Sequence, residues 1–114
     1  MAERVKPIII HDENHQKDYT LEFNRDSVKF AEQRGFVLGD IDRFPMTKTI
    51  EFFWYAFRMH HPNVSLKAAE DIFYKIGGLN DAASKRLGEL YAQPFEAMAP
   101  DEDEVKNSGM TVEL

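Results

Sequence analysis

The chain has 114 residues, enough for one ordinary domain and too few for two. It is 43% hydrophobic, with nine Phe, four Tyr and one Trp to build a core, and its lack of cysteine excludes disulfides, thiolate catalysis and thiolate metal sites. The net charge of −6 opposes nucleic-acid phosphates, and no Lys/Arg cluster is interleaved with aromatics to offset it.

No apolar run reaches the roughly 18 residues of a membrane span. The opening Met1-Ala2-Glu3-Arg4-Val5-Lys6 leads to three isoleucines and then His11-Asp12-Glu13, too short and too soon charged for a signal peptide. The expected setting is a reducing cytoplasm, with neither nucleic acid nor membrane as a partner.

Residues 7–11 form a continuous β-branched run, and residues 18–23 alternate, with Tyr19, Leu21 and Phe23 on one side and Thr20 and Glu22 on the other. A polar connector separates them, so the pair predicts an antiparallel hairpin whose apolar face rests on helices. Asn24 caps a predicted helix that runs to Arg34, with Asp26 in its first turn and Gly35 as its stop. Phe36-Val37-Leu38 and Ile41 suggest a short third strand.

Pro45 suits the first position of a helix reaching about His60 before Pro62. At 100° per residue, Met46, Ile50, Phe53, Trp54 and Phe57 make its main stripe, and Phe52 and Met59 lie nearly opposite. Apolar groups occupy more than half the circumference. Either this helix is central or it presents a second surface to a partner, which would lie around Phe52, Tyr55 and Met59.

Ser65 caps a third helix with Leu66, Ala69, Ile72, Phe73 and Ile76 inward, and Gly77-Gly78 ends it. Asn80 caps a fourth with Ala83, Leu87, Leu90 and Tyr91 inward. Pro94 cannot bond the Leu90 carbonyl, which predicts a kink or restart. Asp101-Glu102-Asp103-Glu104 and Lys106-Asn107-Ser108-Gly109 read as a solvated linker. The expected organisation is a single α+β domain over residues 1–99, with a hairpin packed on about four helices, followed by an acidic flexible tail at 100–114.

Chemistry finds little foothold. None of Ser27, Ser65, Ser84 or Ser108 sits in a nucleophile elbow, and Gly77-Gly78 lacks the spacing and lysine of a phosphate loop. Adjacent helical residues point about 100° apart, so His60 and His61 cannot share a metal as an i,i+4 pair does; they suit a helix C-terminus instead. His11 and His15 with Asp12 and Glu13 read as a solvated turn. The acidic run at 101–104 lacks the ligand spacing and turn glycine of a calcium loop. The chain therefore reads as a binding protein rather than an enzyme, with no catalytic, cofactor or metal residues.

Several stretches are similar to a known family: Tyr19 to Asp26 running into Val28-Lys29-Phe30-Ala31, Phe44 to Lys48, Tyr55 to Pro62, Leu87 to Tyr91, and the ending Met110 to Leu114. Together they resemble small proteins of tailed phages and prophages of Gram-positive bacteria, described as uncharacterised or as tail assembly chaperones. The resemblance implies a protein of the host bacterial cytoplasm, absent from the mature virion. It would bind the tape measure protein and recruit major tail protein subunits as the tube polymerises, with self-association a further possible contact. An apolar helix face taking the stripe of a partner helix would serve that role. The charge of −6 and residues 101–104 also fit an alternative, a phage-encoded acidic inhibitor of a host nucleic-acid-binding protein.

Overall fold

A computed structural model describes residues 4–96 and Met98; the tail expected at 100–114, with its acidic run, lies outside the described residues. The architecture is α+β: an N-terminal two-stranded antiparallel hairpin followed by five helices. Strands β1 (Ile8–Asp12) and β2 (Lys17–Leu21) pair with Ile8 opposite Leu21 and Asp12 opposite Lys17. In the four-residue turn Gln16 adopts φ 49, and the Asp12 carboxylate accepts hydrogen bonds from the His15 backbone and its Nδ1. Ile10 and Leu21 lie on the core face, while Ile9 points to the other side and is 46% exposed.

Asn24 starts α1 (Arg25–Gln33) with a reciprocal capping box: its Oδ1 accepts from the Ser27 N–H at 2.8 Å, and Ser27 Oγ accepts from the Asn24 N–H at 2.9 Å. Gly35 ends it at φ 87, where the Phe36 N–H reaches the Ala31 carbonyl and the Gly35 N–H that of Glu32. This is a Schellman closure, and it turns Phe36 into the core. Phe36 is thus spent on packing, and the expected third strand does not form. Val37 and Leu38 are exposed, and the chain winds instead into a one-turn helix, α2 (Asp40–Arg43).

Helix α3 (Pro45–Tyr55) opens on its proline and ends five residues earlier than the periodicity implied; residues 56–60 continue as turns. Helix α4 (Leu66–Lys75) is capped by Ser65 Oγ and closed by Gly77, with the Gly78 N–H bonded to the Phe73 carbonyl. Asn80 Oδ1 accepts from the Ala83 N–H to open α5 (Asp81–Glu96). Pro94 does not interrupt α5. It lies in the last turn, where the loss of one donor costs least, so the expected kink is absent.

The core is an aromatic cluster wrapped around α3. On one side Phe53 packs edge-on against Phe57 and Phe73, and Phe57 meets Tyr19 of the hairpin. On the other, Phe52 stacks on Phe23 and Phe36 at 5.6 and 5.7 Å between centroids and meets Tyr91 of α5 edge-on. Trp54 donates its indole N–H to the Val64 carbonyl at 2.8 Å, tying the start of α4 back to α3.

Candidate partner-binding surface

The two-sided packing of α3 decides between the readings of its wide apolar circumference. Phe52 is 7% exposed and Tyr55 2%, so neither forms a partner-facing surface. The physical reason is that α3 has neighbours on both sides: the hairpin and α4 take one, and Phe23, Phe30, Phe36 and Tyr91 take the other. Met59, the third candidate, is half-buried beside a shallow depression with Asn24, Asp26 and Arg58. Phe52, Tyr55 and Met59 do not form one exposed patch.

Exposed apolar side chains lie elsewhere, among them a group at the N-terminal ends of α3 and α4. Met46 is 79% exposed, although the periodicity assigned it to the buried stripe. It sits one turn before Ile50, in the first turn of α3. Met46, Ile50 and Leu66 line an open groove of about 460 Å³ between the two helices, with Ile50 buried at its floor. Thr47, Glu51, Lys67 and Glu70 complete the wall. The charged walls are internally paired: Lys48 with Glu51 at 3.3 Å, and Lys67 with Asp71 at 3.2 Å. Phe44, also exposed, immediately precedes α3, with the Arg43 guanidinium over its ring. An apolar floor between charged rims suits the nonpolar stripe of an amphipathic helix.

A second constellation fastens the hairpin to the end of α3. Glu22 is 2% exposed, and its carboxylate accepts hydrogen bonds from Arg4 and from His60 Nε2, the latter at 2.9 Å. Burial pushes its pKa up, but the bonds from His60 and Arg4 outweigh burial and hold it below the ordinary carboxylate value. Next to it, the Thr20 N–H donates to His61 Nε2 at 2.9 Å, which requires a neutral imidazole with its proton on Nδ1. Burial, then the neighbouring His60 and Lys17, lower the His61 pKa. The Glu22 N–H donates to the Ala56 carbonyl at 3.0 Å, so the outer edge of β2 is closed by the turns that follow α3.

His60 and His61 therefore secure the hairpin; they do not cap a helix terminus, because α3 stops before them, although the His60 side chain keeps one side in solvent. The register that brings them to Glu22 and Thr20 is long-range, and no spacing within residues 55–62 encodes it. His11 and His15 pair with Asp18 and Asp12 across the exposed turn, at 2.7 and 2.9 Å. Among the described residues no group of three or more His, Cys, Asp or Glu is placed to hold a metal, and no helix is long and apolar enough to cross a membrane.

The fold and groove define a small α+β domain with an open groove between α3 and α4 that has an apolar floor and charged rims. The chain belongs to the family called Domain of unknown function (DUF5055), which matches residues 1–114. No curated protein and no solved structure matches it.

Proposed function

We propose that this protein is a phage tail assembly chaperone that holds amphipathic helical segments of the tape measure protein in the α3–α4 groove and recruits tail-tube subunits during assembly. The observation that carries the reading is the groove of Met46, Ile50 and Leu66: two large apolar side chains, Met46 and Leu66, stand in solvent above the buried Ile50, between paired charges. Clustered exposed apolar groups at the ends of two packed helices have no folding purpose that burial elsewhere would not serve better. The sequence resemblance to tail assembly chaperones supplies the partner. Action in the host cytoplasm and absence from the virion follow from the same resemblance.

Co-expression with the tape measure protein tests the proposal. The wild-type chain should keep that protein soluble and co-purify with it. Met46→Asp combined with Leu66→Asp should lower retention at least tenfold, while the variant's melting temperature stays within a few degrees of wild type. A tape measure protein equally insoluble with and without this chain would end the proposal.

A further inference from the structure

We propose that β1 pairs with β1 of a second copy of this chain, joining two hairpins into a continuous four-stranded antiparallel sheet about a two-fold axis centred on Ile9. The outer edge of β2 is closed by His61 and Ala56, and among the described residues the outer edge of β1 is the one left to pair. Outward donation by Thr20 and Glu22 fixes the phase of the ladder. Thr20 faces Ile9 and Asp18 faces His11 as the non-hydrogen-bonded pairs, so the N–H and C=O groups of Ile9 and His11 point away from β2. Among the described residues neither of those N–H groups has a partner. Such an edge is a template for another strand.

The occupant is argued from the edge's own residues. Paired antiparallel with itself about Ile9, the strand exchanges both N–H···O=C bonds between the two Ile9 residues. It adds a bond from each His11 N–H to the Pro7 carbonyl of the second copy. Pro7, which has no N–H, falls where only its carbonyl is used. The same register sets Lys6 opposite Asp12 of the second copy, on one face and of opposite charge, and covers the exposed Ile9 side chain with its twin. Shifting the centre to Ile10 would set Ile8 against the Asp12 carboxylate. Shifting it to Ile8 would lose the Ile9 exchange. Charge and hydrogen bonding thus select one register.

The proposal stands apart from the groove and from the chaperone reading, since it uses a different surface and a different partner. Sedimentation of the full chain from about 10 μM to about 1 mM should show reversible dimerisation, weak because the shared edge is short. Ile9→Pro should weaken the dimer at least tenfold while leaving the hairpin folded, because the lost N–H faces away from β2. Lys6→Glu should weaken it several-fold at low salt.

The chain has no native cysteine, so a single Ile9→Cys reports the register independently of any effect on folding. Its Cα atoms across the axis would stand about 5.5 Å apart, within disulfide reach, and it should oxidise to a cross-linked dimer. Thr20→Cys, on the outer face of β2, should not. A monomer at every concentration would overturn the proposal, as would Ile9→Cys cross-linking no faster than Thr20→Cys. An unchanged Lys6→Glu dimer would overturn the Ile9-centred register.

Discussion

At the scale of single residues, the most consequential groups are the two side chains that hold β2 in place. His61 accepts a backbone N–H and is therefore useful only while neutral. Its folded pKa lies below the usual histidine value of 6.5, so the native state binds fewer protons than the unfolded chain just below that pH. The stabilisation is complete above 6.5 and is lost as pH falls toward the lower folded value. Glu22 follows the same sign further down: its pKa lies below 4.5, so its stabilisation is lost only as pH falls beneath that value. Melting temperature should therefore decline in two stages on acidification. His61→Gln, whose Oε1 can still accept from Thr20, should abolish the first stage and leave the second. An unchanged first stage in that variant would assign it to another group.

At the scale of elements, the caps that start and stop helices act locally, and they are also what the sequence displays most plainly. Asn24, Ser65 and Asn80 each bond an N–H three residues on, as their residue types implied. Asn24→Ala should cost about 1 kcal/mol of stability, measured by urea unfolding, since it opens a two-bond capping box. The glycines that end α1 and α4 were equally readable. The short third strand was not, because Phe36-Val37-Leu38 has strand composition while the Schellman turn at Gly35 spends Phe36 on the core and leaves Val37 and Leu38 in solvent. The periodicity of residues 46–60 showed that α3 is apolar on both sides. It could not say whether the second side met solvent or protein, since that depends on where Phe23, Phe36 and Tyr91 arrive from distant parts of the chain. The groove was invisible for the complementary reason: Met46 and Ile50 share a stripe, yet only the position of α4 leaves one exposed and buries the other.

At the scale of the whole molecule, folding and binding are carried by different apolar residues, and mutations should separate them. Phe52→Ala removes a ring that joins Phe23 after the hairpin, Phe36 after α1 and Tyr91 of α5, and should cost about 3–5 kcal/mol in chemical denaturation. Any loss of partner binding in that variant should track the unfolded fraction. Met46→Asp should do the reverse, losing binding with stability nearly intact. A two-stranded hairpin is marginal by itself, so its persistence here depends on its attachment to the rest of the chain. Along β2 and the residue that follows it, that attachment includes amide protons with two unlike acceptors, an imidazole nitrogen for Thr20 and a peptide oxygen for Glu22. Hydrogen exchange should then register the difference within three consecutive residues. Below the usual histidine range the protection of the Thr20 amide should fall first, while the Glu22 amide two positions away keeps its own, so that one short segment carries both a proton gauge and its internal reference.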